Sequence, residues 1–191
     1  MPASIEALYT APAEGEPMVE HGRVTFVSGG VEGDRYLRGT GYYSPFDVCE
    51  VTLVDAATLE AVRDDRGIDL TDGRHRRNVV VRGVDLGDLL GATFRVGGED
   101  DGDHERGGED GKAAPGAVLR GTRPRPPCAH VEEVAGEEGV ARALTGRRGG
   151  ICATVVEPGP VAVGDVIEVV EADPRSEGRR IADRLRESHG E

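Results

Sequence analysis

Apolar positions in this chain come in short bursts separated by glycine, proline and aspartate, a rhythm of short strands and turns with few helical stretches. Residues 4–9 read as a strand, ended by the turn chemistry of Ala11-Pro12-Ala13-Glu14-Gly15-Glu16-Pro17. Residues 23–27 alternate polar and apolar and predict a second strand, and 49–54 a third. Asp55 then caps a predicted helix over 56–66, with Glu60 supporting its early turns, Leu59 and Val62 on its core face and Gly67 as its stop. Further strands are predicted at 78–81, 92–96, 117–121, 151–156 and 163–170, with helical turns over 84–90. A helix over 131–144 is interrupted near Gly136, and a turn falls at Pro158-Gly159-Pro160.

Three segments break this rhythm. Residues 28–44 are rich in glycine and hold three of the four tyrosines (Tyr36, Tyr42, Tyr43), so this loop is expected to pack against something or line it. Residues 97–116 are almost all Gly, Asp and Glu, with no apolar residue to offset ordering entropy until Ala113, and predict a mobile acidic loop. Its His104 among carboxylates reads as solvated surface before it reads as a metal site. Residues 171–191 read as a charged helical tail with a thin apolar seam (Ile181, Leu185), leaving 1–170 as one domain. Many short strands with a few attached helices predict a β-rich α+β fold, closed or curled on itself.

Composition adds an environment. The chain has 191 residues and a formal charge of −13; of its basic residues one is lysine (Lys112) and the rest are arginine. Surplus carboxylate with almost no lysine is the surface expected in a salt-rich cytosol, where screening shortens electrostatic reach. It argues against a nucleic-acid partner, which needs an accessible basic face. No apolar run is long enough for a membrane span and no signal peptide is visible. The three cysteines (Cys49, Cys128, Cys152) form an odd set with no C-x-x-C pair. A cytoplasmic protein without disulfides is expected, with Cys49 and Cys152 as small buried hydrophobes in their strands.

Against this acidic background two arginine-rich segments stand out. One is Leu119-Arg120-Gly121-Thr122-Arg123-Pro124-Arg125-Pro126-Pro127-Cys128-Ala129-His130. Its prolines fix an extended or turning loop, and nearby positive charge favours the thiolate of Cys128, the form that ligates metals and attacks electrophiles. His130, two residues on, is placed to assist. The other is Arg74-His75-Arg76-Arg77-Asn78 at a strand entrance, a set suited to a phosphate through the bidentate guanidinium fork. Pairing with surface carboxylates is the competing use of those arginines. Gly29-Gly30-x-x-Gly33 lacks the order of a dinucleotide loop.

Taken in order, Gly33-Asp34-Arg35-Tyr36, Gly39-Thr40-Gly41, Arg76-Arg77-Asn78-Val79-Val80-Val81-Arg82-Gly83-Val84-Asp85-Leu86, Leu119-Arg120-Gly121-Thr122-Arg123 and Pro127-Cys128-Ala129-His130 resemble a MOSC domain, the molybdenum cofactor sulfurase C-terminal domain, in its small stand-alone prokaryotic form. The resemblance implies a barrel-like β core with a few short peripheral helices and a molybdopterin-type molybdenum cofactor. It makes Cys128 the molybdenum ligand or sulfur-bearing group and His130 its catalytic neighbour. Arg76, Arg77 and Asn78 would hold the cofactor's anionic end, with Asp34, Arg35, Arg120, Thr122 and Arg123 completing the site. Where relatives read Cys-x-Pro-Cys, this chain has Arg125, which excludes a vicinal dithiol. The family's association with pyridoxal phosphate finds no Schiff-base lysine here, since Lys112 lies in the acidic loop. The implied activity is reduction of N-hydroxylated or related small molecules with electrons from a partner protein. The alternative is a sulfur carrier, with a persulfide on Cys128 delivered to a client.

Overall fold

The computed structural model describes residues 2–37, 39, 49–98, 116–127 and 129–173. The acidic stretch at 99–115, the tail from 174 onward, Tyr42, Tyr43, His104 and Cys128 lie outside the described residues.

Strand β1 (Ser4–Thr10) is followed by β2 (Val19–His21), β3 (Arg23–Val27), β4 (Gly30–Val31) and β5 (Val51–Asp55). Helix α1 (Ala56–Arg66) leads to β6 (Val79–Arg82), α2 (Leu86–Leu89), β7 (Thr93–Val96) and β8 (Ala117–Pro124). Then come α3 (Ala129–Ala135), α4 (Val140–Ala143), a 3-10 turn (Gly146–Gly149), β9 (Ile151–Glu157), β10 (Gly159–Ala162) and β11 (Ile167–Glu171). Eight strands form one sheet in the order β11-β7-β8-β9-β5-β6-β1-β2, and β10-β3-β4 form a second.

Local chemistry explains α1 as expected. Asp55 is extended and accepts from the Ala57 N–H, while Gly67 takes φ 69° and returns its own N–H to the Arg63 carbonyl. The helix is the crossover that makes β5 and β6 a parallel pair. Leu53, Val79 and Val81 point into one apolar cluster with Phe26, Phe94 and Leu119. Their neighbours Val54 and Val80 point the other way, onto Leu59 and Val62 of α1 and Val140 and Leu144. The two-residue period of a strand thus supplies both layers, and β5 and β6 carry apolar residues on both faces because both are covered, with Thr52 the one buried polar interruption.

The sheet curls without closing into a barrel. The edge strands β2 and β11 share no ladder. Its ends touch where β1 begins: Ser4 bridges Val166, the Ile5 N–H donates to the Asp165 carbonyl at 2.8 Å, and the Ile167 N–H donates to the Ala3 carbonyl at 2.9 Å.

Three differences from the sequence reading have physical causes. Pro158-Gly159-Pro160 runs into β10, which pairs with β3 at an edge where the missing proline N–H costs no ladder bond. Strand β8 continues through Arg123 and Pro124 rather than stopping at Gly121, because β7 pairs with it only as far as Arg120 and leaves Pro124 one open side. Cys49 and Cys152 are not independent buried thiols. They form a disulfide across 103 residues with Cα atoms 5.2 Å apart. Sequence spacing hides the pair because the antiparallel β5–β9 ladder, with Thr52 opposite Cys152, creates the proximity. No helix among the described residues is long and apolar enough to cross a membrane.

Candidate functional site

The two arginine-rich segments meet. Arg76 and Arg77, at the entrance to β6, face Arg125, which follows the end of β8, across a pocket whose third wall is Arg35-Tyr36. Glu14 and His130 close one side, and Pro126, Pro127, Val131 and Val134 form an apolar flank.

Each arginine is held by backbone or by an aromatic ring. Arg77 is buried, donating Nε–H to the Gly149 carbonyl at 2.9 Å and Nη1–H to the His75 carbonyl at 2.6 Å. The Arg125 backbone N–H donates to the Gly150 carbonyl at 2.8 Å, and its Nη2 donates to the Tyr36 hydroxyl at 2.6 Å. Adjacent glycines therefore anchor two facing arginines, and neither position has room for a side chain. A Cβ at Gly149 would lie 2.0 Å from the Arg125 carbonyl oxygen, and one at Gly150 1.9 Å from that of Leu53. Arg35 sits 4.8 Å from the Tyr36 ring centroid and Arg125 5.7 Å, so one aromatic ring stands within cation–π range of both guanidiniums.

Arg76 is the strained member. It has φ 63°, and no other described residue except glycine is left-handed. Its guanidinium donates to the Glu16 carbonyl. Burial first, and the like charge of Arg35 next, push its pKa down to about 10. A guanidinium buried among guanidiniums is stabilised by an anion.

His130 lies between two carboxylates, with Nε2 3.3 Å from Glu14 and Nδ1 3.5 Å from Glu133. His75 is fully buried and neutral. Its Nδ1 accepts from the Arg77 N–H at 2.9 Å, so Nε2 carries the hydrogen, and that atom has no partner among the described residues. Burial, then the charges of Arg77 and Arg76, lower its pKa to about 3.

Of the residues expected in the site, Arg35, Arg76, Arg77 and His130 line the pocket. Asp34 sits behind it, fully buried, accepting from the N–H groups of Ala11 and Tyr36 at 3.0 Å each and pairing with Arg35 at 3.3 Å. Asn78 is also structural: its Oδ1 accepts from the Thr52 N–H and hydroxyl, and its Nδ2 donates to the Tyr9 carbonyl. Arg120 and Thr122 line a separate depression with Leu90, Gly91 and Asp173. Arg123 points along its own strand end, donating to the Pro124 carbonyl. Cys128 lies outside the described residues, but Pro127 and His130 on either side of it line the pocket. Sequence reasoning did not single out Glu14, which reads as part of a turn. Tyr36 and Arg125 carried a signal, as a loop aromatic and as an arginine near the cysteine. No cluster of metal-ligating side chains occurs among the described residues.

The sequence profile of the MOSC domain matches residues 46–168. The chain belongs to the MOSC domain family. MOSC domains are known for binding molybdenum cofactor; the matched region supplies Arg76, Arg77, Arg125 and His130 of the pocket, while Glu14, Arg35 and Tyr36 precede it. Solved structures share the fold. The YuaD protein from Bacillus subtilis matches at a TM-score of 0.67 and 22% identity, over 88% of this chain and 96% of that one. YiiM from Geobacillus stearothermophilus matches at 0.61 and 16%, over 89% and 76%. YiiM from Escherichia coli matches at 0.58 and 19%, over 90% and 70%. No curated protein sequence matches the chain. Residues before the matched region are part of the same architecture, since β1 lies between β6 and β2 in the main sheet.

Proposed function

We propose that this MOSC domain is a molybdenum-dependent oxidoreductase whose arginine pocket takes the anionic end of a molybdopterin-type cofactor, with Cys128 as the molybdenum ligand. The observation that carries the reading is Arg76. A left-handed, buried arginine with a lowered pKa, packed among Arg35, Arg77 and Arg125, fits a phosphate by charge and by hydrogen-bond geometry.

When bound, such a cofactor supplies two-electron redox chemistry with oxo transfer. The protein's own residues do the rest. Arg35, Arg76, Arg77 and Arg125 bind and orient the anion, and Tyr36 with the Pro126, Pro127, Val131 and Val134 flank excludes water. His130 is placed to hold a proton at Nε2 between the pocket and Glu14. The substrates on this reading are N-hydroxylated or related small molecules, and the electrons come from a separate donor protein.

The test is molybdenum content per chain, for wild type and Cys128→Ser, purified from a host shown to make the cofactor. Near-stoichiometric metal in the wild type, lost in Cys128→Ser, is the expected result. Metal absent from both would overturn it. An extra sulfur on Cys128 by mass spectrometry would then point to sulfur delivery to a client.

A further inference from the structure

The Cys49–Cys152 disulfide lies at a junction from which the pocket walls diverge. Cys152 is opposite Arg123 in the β8–β9 ladder, and the Thr122 hydroxyl donates to its carbonyl at 3.1 Å; two residues beyond Arg123 is Arg125. Cys152 is also opposite Thr52, whose hydroxyl bonds Asn78, the residue after Arg77. Cys49 lies outside any strand, next to Glu50. Glu50 and Leu37, the residue after Tyr36, both meet Gly30, where an added Cβ would lie 3.1 Å from the Glu50 carbonyl oxygen and 3.4 Å from Leu37. Glu50 in turn accepts from the Val155 N–H at 2.7 Å.

We infer that the Cys49–Cys152 disulfide is a redox-responsive tether that holds the Tyr36 wall against the Arg125 wall. Its effect on anion affinity rests on the pocket reading above. Chemically the step is thiol–disulfide exchange. A dithiol reductant gives two electrons and two protons, the sulfur–sulfur bond becomes two thiols, and the reductant becomes a disulfide. Cys49 is 4% exposed and Cys152 fully buried, so exchange waits for local opening at Cys49, where the backbone is irregular. With the bond intact, Tyr36 stays within reach of Arg125. With it broken, that wall keeps the hydrogen bonds of Asp34, Arg35, Tyr36 and Glu50 but loses its covalent link to β9.

The test compares full-length cofactor-free protein equilibrated with oxidised and with reduced dithiol, using inorganic phosphate as the probe. Thiol counting after denaturation is expected to give one free thiol in the oxidised form and three in the reduced form, since the chain has three cysteines and two are paired. Reduction is expected to speed amide exchange at Tyr36 by about tenfold or more and to weaken phosphate binding by about fivefold, with far-UV circular dichroism unchanged. Cys49→Ala is expected to behave as the reduced form in both readouts. Three thiols in the oxidised sample, unchanged Tyr36 exchange, or global unfolding on reduction would each overturn the inference. Failure of phosphate to bind in either state, with Tyr36 exchange still responding, would keep the tether and remove the pocket reading.

Discussion

The Tyr36 hydroxyl accepts a 2.6 Å hydrogen bond from Nη2 of Arg125, joining residues 89 positions apart while both guanidiniums of Arg35 and Arg125 flank the same ring. The contact aims Arg125 into the pocket and spaces two like charges with one aromatic face. Tyr36→Phe keeps the ring and removes the oxygen. Phosphate affinity is expected to drop by about tenfold, the worth of one hydrogen bond to a charged group, with thermal stability nearly unchanged. Titration calorimetry checks this; equal affinity would show that Arg125 keeps its aim without the hydroxyl.

Arg76 separates charge from backbone strain. Arg76→Gly and Arg76→Ala both remove the guanidinium and are expected to weaken phosphate binding alike. Only alanine must hold a Cβ at φ 63°, so Arg76→Ala should be less stable than Arg76→Gly by about 1 kcal/mol. Chemical denaturation of the pair checks the difference, and a more stable alanine variant would contradict it.

His75 sets an acid limit. Its pKa falls from 6.5 in the unfolded chain to about 3 in the fold, so between those values the unfolded state binds a proton that the folded state does not. Stability therefore falls as pH falls from about 6.5 towards 3, by up to about 1.4 kcal/mol per pH unit. In His75→Asn the amide oxygen can still accept from the Arg77 N–H, and nothing titrates at that position. Its stability curve should lack this component, and parallel curves for the two proteins would refute the assignment.

Asn78 and Arg120 are expected to differ from the pocket arginines and from each other. Asn78→Ala leaves the buried Thr52 groups and the Tyr9 carbonyl short of partners and should cost about 2–3 kcal/mol of stability. Arg120 is exposed in the other depression, so Arg120→Ala should leave stability unchanged and phosphate affinity within about twofold. A large affinity loss in Arg120→Ala would place the anion elsewhere.

Most strands and α1 were legible because each rests on local information (alternation in β3, the Asp55 cap, the Gly67 stop), whereas the short β2, β4 and β10, too brief to show a period, were not. The run Arg74-His75-Arg76-Arg77-Asn78 was legible as a cationic entrance, but its division of labour was not. Arg76 turns into the pocket from a left-handed backbone, while Asn78, two residues on, locks β6 to β5. Nothing in sequence distance tells those roles apart. Glu14 and Tyr36 reach the site only because Arg35 donates its N–H to the Ala11 carbonyl and Asp34 bonds the Ala11 N–H, folding the first turn onto the tyrosine segment. The cysteine pairing was hidden for the same reason, since a ladder and not a spacing motif brings the sulfurs together.

The anchoring of Arg77 and Arg125 on the carbonyls of Gly149 and Gly150 has a consequence for biosynthesis. The residues that line the pocket come from positions 14, 35–36, 76–77, 125–127, 130–131 and 134, and the two carbonyls that hold Arg77 and Arg125 come later still, at the threshold of β9. A growing chain on the ribosome holds arginines but no site until that threshold has emerged and seated between β8 and β5. On the function proposed above, loading of an anionic cofactor is thus an event for the finished protein, and a half-made chain has nothing with which to sequester it.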